Sequence, residues 1–219
     1  MTSSRLPGKV LAECVGKPML ELMVERLRRV PSLDDIVIAT TANATDDPVA
    51  ALAERLGVCC FRGSEFDVLD RVLRAARAFD VDVIVETTGD CPCIDPEIVE
   101  ACIANYQRGG ADYVSNVLER SWPVGMDTQV FATDVLADVA ARTNDPQDRE
   151  HVSLYIYHHP ERYRLRNVEA PADETAPDLR MTLDTAEDLA LIRDVFESLY
   201  PTDPKFGVRD ILAHLRSTV

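Results

Sequence analysis

The fold is decided by the stretch VIVETTGDCPCIDP, residues 83–96. Its β-branched beginning, residues 83–85, is typical of a parallel strand buried on both faces, and the small residues that follow stop the strand. Asp90 therefore follows the carboxyl end of a strand, the edge at which open α/β sheets bind ligands. Pro96 then starts a helix, in whose first turn its missing N–H costs nothing. Asp90 is either a metal-binding carboxylate or a turn residue, because Gly-Asp-x-Pro is also ordinary turn chemistry.

Strand and helix patterns alternate on both sides of this stretch. Strands are predicted over residues 35–41, 58–61, 112–116, 128–131 and 163–168, and helices over 19–30, 47–56, 67–79, 96–106, 132–142 and 207–215. A further strand is expected to end at residue 183, so that Asp184 repeats the position of Asp90, as a metal ligand or as a simple N-cap. The alternation predicts parallel βαβ units, and 219 residues with 46% hydrophobic content suit one α/β domain.

The distribution of charge limits which classes of partner the protein can bind. A formal charge of -15 argues against nucleic acid and against an anionic membrane, both of which need an exposed basic face. Residues 1–30 depart from this, with six cationic against three anionic side chains. Here Arg5, Gly8 and Lys9 form a small-residue loop that suits a polyphosphate, although it is not a Walker loop. A solvated helix face would explain the other cations of this segment equally well.

The six cysteines have neither zinc-site spacing nor the density of a secreted disulfide scaffold. Cys91-x-Cys93 is too tight for the usual Cys-x-x-Cys clip, and this pair is therefore interpreted as reduced thiols packed near the site. No apolar run approaches the ~20 residues of a membrane span, and no signal-like segment is present. A cytoplasmic location is expected.

Two segments are open to more than one interpretation. Residues 117–126, with Trp122, indicate a mobile or partner-facing loop, and we expect residues 117–131 to serve as a dimerisation or lid segment of a homodimer. Asp148 is a plausible N-cap of a further helix. His151 in its first turn is a substrate ligand or only a helix-start residue.

Eight motifs occur along the chain in this order: SRLPGK (4–9), GKPM (16–19), IATT (38–41), FRGS (61–64), DVLDR (67–71), TGDCP (88–92), DREH (148–151) and LDTAEDL (183–189). Together they resemble the cytidylyltransferases of acidic sugars, in the branch of the spore coat polysaccharide biosynthesis protein F. That branch is similar to the CMP-Kdo and CMP-acylneuraminate synthetases. The resemblance covers essentially the whole chain.

The resemblance implies attack of a sugar acid's anomeric hydroxyl on the α-phosphorus of CTP, with Mg²⁺ as cofactor and pyrophosphate as product. It implies catalytic roles for Arg5, Lys9 and Asp90, and a metal site at Asp90 and Asp184. Nucleotide binding is implied for a set that also includes Lys17, Ala39 and Thr40. Sugar-side roles are implied for Arg62, Asp67, Arg71, Arg149 and His151. Phosphoryl transfer mainly needs positioning and charge neutralisation, which carboxylates, Mg²⁺ and a cationic loop supply.

The implied fold is a Rossmann-like, mostly parallel sheet flanked by helices, as in nucleotide-diphospho-sugar transferases. Members of the family begin with a hydrophobic strand ending in Gln-Ala-Arg, and here Met1 stands where that strand has already finished. The neighbouring strands would then carry unpaired N–H and C=O groups. We therefore expect Met1 to be an internal methionine of a longer natural protein, or another segment to fill the gap.

Two other functions are compatible with parts of the sequence. A nucleotide-sugar glycosyltransferase of similar architecture would need an Asp-x-Asp metal motif, and Asp80-Val81-Asp82 precedes its strand and so falls at the wrong edge of the sheet. A catalytically inactive nucleotide- or partner-binding subunit is also compatible with a missing first strand. The presence of Arg5, Lys9, Asp90 and Asp184 argues against it.

Overall fold

Strands and helices alternate along the chain in the computed structural model, which describes residues 5–217. The strands of this part are β1 (Glu13–Cys14), β2 (Lys17–Pro18), β3 (Val37–Thr41), β4 (Cys59–Gly63), β5 (Val83–Glu86), β6 (Tyr113–Ser115), β7 (Gln129–Ala132) and β8 (Leu165–Asn167). Its α-helices are α1 (Met19–Leu27), α2 (Asp47–Leu56), α3 (Val68–Ala78), α4 (Pro96–Gln107), α5 (Thr133–Arg142), α6 (Pro146–Glu150), α7 (Leu154–His158), α8 (Ala186–Leu199) and α9 (Val208–Ser217). Each predicted helix and all but one of the predicted strands are present, with ends shifted by a few residues.

Side-chain caps fix where the helices near the carboxyl edge of the sheet begin. The Asp67 carboxylate accepts a hydrogen bond from Asp70 N at the start of α3, and Asp95 accepts one from Glu97 N at the start of α4. At α8, Thr185 and Asp188 form a reciprocal capping box. Such caps satisfy N–H groups that have no partner within the helix. They hold the preceding loops, and the loops carry the polar residues of the site.

The strands form two separate main sheets. β3 and β4 pair in parallel, and the other sheet has the order β5-β7-β6-β8. In this sheet β7 is antiparallel to both of its neighbours, whereas β6 and β8 are parallel. The predicted α/β architecture with parallel strand pairs and flanking helices is confirmed, with β7 as the antiparallel member.

The larger sheet buries both faces. One register row of its strands consists of Ile84, Phe131, Tyr113 and Leu165, and these side chains pack in one core cluster with residues of α3, α5 and α7. The neighbouring positions Val85, Val130 and Val114 face the opposite cluster, which includes residues of α1 and α4. Ile84 and Val85 of β5 are thus covered on opposite faces of the sheet, whereas Val83 at the start of the strand is exposed.

A cleft separates the two sheets. Its volume is about 1020 Å³, and residues 35–40 and 82–89, which include β3 and β5, line its two sides. Apolar side chains close its faces, among them Leu20 and Met23 of α1 and Val72 of α3. Within residues 5–217 no strand bridges the cleft.

Three local expectations are wrong. Residues 180–183 form no strand; they have one isolated bridge to Val124, and Leu183 N donates to Asp90 O at 2.8 Å. The N-cap of α6 is Asp145, because its carboxylate accepts from Gln147 N, whereas Asp148 accepts from the Thr143 hydroxyl.

The third concerns the loop before β7. Residues 117–126 are expected to form a mobile or partner-facing loop, but the Trp122 side chain is buried against α8 and α9 and its indole N–H donates to Val168 O at 2.9 Å. Amphipathic rings prefer such a position, where the body is apolar and the N–H has a partner.

Glu86 gives the fold a pH dependence. This side chain lines the cleft at the end of β5, and its Oε2 atom is buried without a hydrogen-bond partner among the described residues. Burial raises the pKa of Glu86 to about 8. Because this folded-state pKa lies above the ordinary value of 4.5, the stability is fully present below pH 4.5 and falls as the pH rises towards 8.

We expect Glu86→Gln to raise the free energy of unfolding by roughly 1–3 kcal/mol at pH 8 and to leave it nearly unchanged at pH 4.5, since the amide cannot ionise. Urea unfolding between pH 4.5 and 8.5 measures this. Glu54→Gln, on the exposed face of α2, is the matched control. Equal pH profiles for the wild type and Glu86→Gln would contradict the assignment.

Candidate functional site

Four charged side chains meet beyond the carboxyl end of β5. Lys9 Nζ lies 2.8 Å from Asp90 Oδ2 and 2.9 Å from Asp184 Oδ1. Arg5 Nη2 lies 3.0 Å from the same Asp184 oxygen. The Arg5 side chain is 64% exposed, whereas those of Lys9 and Asp184 are 16% and 15% exposed. Residues far apart in the sequence thus form one half-buried cluster, which has a solvent-facing cation at its rim.

Short-range backbone geometry positions each member. Lys9 begins a 3₁₀ helix, Lys9–Leu11, directly after Gly8, whose φ of 71° is unfavourable for other residues. Asp90 sits in the turn after β5, where Cys91 N donates to Thr88 O at 3.1 Å.

The two carboxylates are also tied to each other through the backbone. Asp184 precedes the capping box of α8, and its own N–H donates to the Asp188 carboxylate at 3.1 Å. The bond from Leu183 N to Asp90 O then joins the two loops. We call Asp90 and Asp184 the carboxylate pair.

Burial and charge act in opposite directions within the cluster. Burial alone would raise the pKa of Asp90, but the hydrogen bond and charge of Lys9 hold that pKa below its ordinary value. Burial alone would lower the pKa of Lys9, and its contacts with Asp90 and Asp184 raise it instead. At neutral pH the cluster therefore holds an ammonium between two carboxylates.

The sequence analysis missed Arg180 as a member of this cluster. Its Nη2 lies 3.4 Å from Asp184 Oδ2, the oxygen that Arg5 and Lys9 do not contact. Arg120 was also unassigned, and it forms a bidentate pair with Asp127 at 2.9 Å for both contacts. The Asp127 charge contributes to raising the pKa of Cys91, next to Asp90. Each arginine lies in an irregular segment, where periodicity gives no signal.

The carboxylate pair is the best place for a divalent metal. Within residues 5–217 no group of three or more His, Cys, Asp or Glu side chains could hold a metal ion. Mg²⁺ fits such a site nevertheless, because it binds through one or two carboxylates and takes its other ligands from water and substrate phosphates. The residues present therefore fit a metal that arrives with a phosphorylated substrate.

The remaining predicted nucleotide-binding residues lie apart from the cluster. Lys17 contacts Glu25 Oε1 and the Tyr200 hydroxyl, so its charge is already paired on the other side of α1. Ala39 and Thr40 lie on β3 and line the cleft.

The predicted sugar-side residues surround the start of α3. Arg149 pairs with the Asp67 carboxylate at 3.0 Å, and Arg71 donates to the backbone oxygen of Ser64. Arg71 Nε and Arg149 Nη1 are buried without a hydrogen-bond partner in the described part of the chain. Arg71 lines both the cleft and a second cavity of about 530 Å³.

Arg62 and His151 do not join this group. Arg62 donates to the backbone oxygens of Thr41 and Asn43 and pairs with Asp47, so it holds the loop after β3. His151 is exposed and follows the end of α6, not its first turn.

The six cysteines occupy buried and half-buried positions. All six are free thiols, and those of Cys91, Cys93 and Cys102 are buried. Burial raises the pKa of both Cys93 and Cys102 to about 12, so these thiols stay protonated and unreactive at neutral pH. Cys91 and Cys93 directly follow Asp90 in the chain, whereas Cys102 lies in α4.

Known proteins match the chain along most of its length. A family model for cytidylyltransferases matches residues 1–204. The spore coat polysaccharide biosynthesis protein SpsF of Bacillus subtilis is 37% identical over 202 residues, which cover 90% of this chain and 83% of that protein. The 3-deoxy-manno-octulosonate cytidylyltransferase of Anaeromyxobacter sp. (strain K) is 31% identical over 170 residues, 71% of this chain and 69% of that protein.

The fold is matched as well. The structure of a cytidylyltransferase from Leptospira borgpetersenii serovar Hardjo-bovis superimposes with a TM-score of 0.92 and 30% identity, covering 100% of this chain and 91% of that one.

Proposed function

The chain belongs to the cytidylyltransferase family, and on that premise we propose that it transfers CMP from CTP to an acidic sugar and releases pyrophosphate, in a Mg²⁺-dependent reaction of polysaccharide or glycan precursor synthesis. In this reaction the anomeric hydroxyl oxygen forms a bond to the α-phosphorus, and the bond from that phosphorus to pyrophosphate breaks. The 3-deoxy-manno-octulosonate cytidylyltransferase relative suggests a sugar acid as acceptor, and the SpsF relative suggests polysaccharide synthesis.

The observation that carries the proposal is the cluster of Arg5, Lys9 and the carboxylate pair. Phosphoryl transfer is catalysed mainly by positioning and by neutralising charge on the phosphate oxygens. Arg5 offers a planar fork of donors at the exposed rim, and Lys9 supplies a compact charge deeper in the cluster. We assign both to the triphosphate.

Asp90 and Asp184 would hold Mg²⁺. When bound, the ion neutralises phosphate charge and orients the pyrophosphate leaving group. The protein's own part is to keep the two carboxylates at a fixed separation, which the Leu183 N to Asp90 O bond does.

The acceptor is proposed to bind near the start of α3. Arg71 Nε and Arg149 Nη1 are buried donors without a partner among the described residues, and each is costly unless a ligand or water satisfies it. Guanidinium donors suit a carboxylate of the acceptor. Asp67 orients Arg149 through the ion pair described above.

The Asp80-Val81-Asp82 motif does not support a glycosyltransferase. Asp80 lies in the turn that follows α3, with a φ of 53°, and Asp82 directly precedes β5. Both are thus at the amino end of β5, whereas Asp90 follows its carboxyl end. A metal at Asp80 and Asp82 would be separated from Lys9 and Arg5 by the length of the strand.

Thermal unfolding of the full chain with CTP, UTP, ATP and GTP, each with Mg²⁺, tests the proposal. We expect CTP to stabilise most, by about 3 kcal/mol when its concentration is 100 times its Kd. Release of pyrophosphate with 3-deoxy-manno-octulosonate or an acylneuraminate as acceptor would then identify the sugar class. Equal shifts with all four nucleotides would contradict the assignment to CTP.

We also propose that the protein is a cytoplasmic homodimer, as the family resemblance and the reduced thiols suggest. Trp122 and Val130 are buried within their own chain, so these two side chains are not available to a dimer interface. Light scattering at micromolar concentration distinguishes one chain of 24.3 kDa from two.

Within residues 5–217, no helix is both long and apolar enough to cross a bilayer.

A further inference from the structure

The position of Lys9 has a consequence for how ligands enter. Its ammonium contacts one oxygen of each member of the carboxylate pair, at 2.8 and 2.9 Å. Asp184 has two other cations within 3.4 Å, Arg5 and Arg180, but among the described residues Lys9 is the cation that contacts Asp90. Lys9 is therefore the counter-ion that the two carboxylates share.

An ammonium and a divalent cation cannot occupy this place together. Mg²⁺ and Mn²⁺ bind carboxylate oxygens at about 2.0–2.2 Å, which brings the ion into the space between the two aspartates where Nζ lies. Two cations so close would also repel strongly at the low exposure of Lys9. Metal binding to both carboxylates thus requires Nζ to leave.

The displaced ammonium needs a new partner. Lys9 starts a 3₁₀ helix in which Lys9 N donates to Leu6 O and Leu11 N donates to Gly8 O, so we assign the displacement to its side chain. Leaving a half-buried ammonium unpaired is unfavourable, and a triphosphate supplies oxygens to replace both carboxylates. Displacement is therefore favourable when metal and nucleotide arrive together and unfavourable for the metal alone.

We propose that Lys9 is a resident counter-ion that blocks the carboxylate pair against free divalent metal and couples metal binding to triphosphate binding. The triphosphate part of this inference rests on the proposed function, whereas the blocking part depends only on Lys9, Asp90 and Asp184. In this role Lys9 is a positioning residue for the metal as well as a nucleotide contact. Because coupling between two ligands is reciprocal, the metal must also strengthen the binding of CTP.

Binding of Mn²⁺ to the full chain without nucleotide, followed by electron paramagnetic resonance, tests the blocking. We expect Lys9→Gln and Lys9→Met to bind Mn²⁺ at least about tenfold more tightly than the wild type, which is within the usual range of coupling between sites. Asp90→Asn added to Lys9→Gln should remove the gain. Lys205→Gln is the matched control, since Lys205 is exposed and lies in the loop between α8 and α9.

Unchanged or weaker Mn²⁺ binding by both Lys9 variants would overturn the inference, as would a gain that survives the loss of Asp90. The melting temperature of each variant shows whether it is folded. Two substitutions of Lys9 with different shapes are used, so that the test can still be made if one variant does not fold. Failure of CTP to stabilise the wild type would overturn the proposed function and leave the Mn²⁺ result intact. The two proposals can therefore fail separately.

Discussion

Asp90→Asn and Asp184→Asn are each expected to lower Mg²⁺-dependent pyrophosphate release by roughly a thousandfold or more at saturating CTP, because each removes one of two carboxylates assigned to the metal. The change is nearly isosteric, and the fold should survive. In Asp90→Asn the backbone oxygen still accepts the hydrogen bond from Leu183 N. In Asp184→Asn the backbone N–H still donates to the Asp188 carboxylate. Initial rates of pyrophosphate release, with circular dichroism on the same samples, measure both halves of the expectation.

The matched control is Asp178→Asn, an exposed aspartate in the loop before Arg180. It changes the formal charge by the same amount and should keep the wild-type rate. Near-normal turnover by either site variant at saturating Mg²⁺ would remove that aspartate from the metal site. A variant that unfolds would be replaced by the corresponding Glu substitution, which retains the charge but displaces the oxygens.

The second large effect concerns the cleft between β3 and β5. An apolar strand ending in Gln-Ala-Arg, added before Met1, is expected to raise the melting temperature by roughly 10 °C or more. Each buried backbone group without a partner costs about 1–3 kcal/mol, and an inserted strand would pair with the facing edges of β3 and β5 at once. It would also cover Val83, which is 40% exposed at the cleft.

The affinity for CTP should rise with the stability. Ala39 and Thr40 lie on one side of the cleft and the turn before Asp90 lies on the other, so a strand between them would fix both relative to Lys9. Calorimetric titration of CTP and melting curves on the two purified chains measure this. An extension of equal length made of Gly and Ser is the control, and equal stability and CTP binding in all three chains would refute the expectation.

The sequence predicts most of the site because its chemistry follows strand ends. The β-branched run at residues 83–85 and the small residues after it place Asp90 at the carboxyl edge, where the structure has it. The loop of Arg5, Gly8 and Lys9 is also found beside Asp90. Local patterns suffice here, since neighbouring residues determine where a strand stops and where a loop turns.

Other features depend on contacts between distant residues, which no local pattern contains. Asp184 lies beside Asp90, as expected, although no strand ends at residue 183. The backbone hydrogen bond from Leu183 N to Asp90 O holds Asp184 in this position. Trp122 lies in a segment whose composition indicates an exposed loop. Its side chain is nevertheless buried, and its indole N–H donates to the backbone oxygen of Val168, which is 46 positions away in the sequence. Arg180 joins the cluster only because residues 180–184 pass beside Val124 and Asp90.

The separation of the strands into two main sheets also determines which parts of the native structure can open locally. No backbone ladder crosses the cleft in residues 5–217, so the unit of β3, β4 and α2 is joined to the rest by connecting segments and side-chain packing. Regions held in this way exchange their amide protons through partial opening, below the free energy of global unfolding. We expect this unit and the β5-β7-β6-β8 sheet to exchange as two separate cooperative units, the first of which contains Ala39 and Thr40. A nucleotide contacting both would act as a cross-link that merges the two into one cooperative unit.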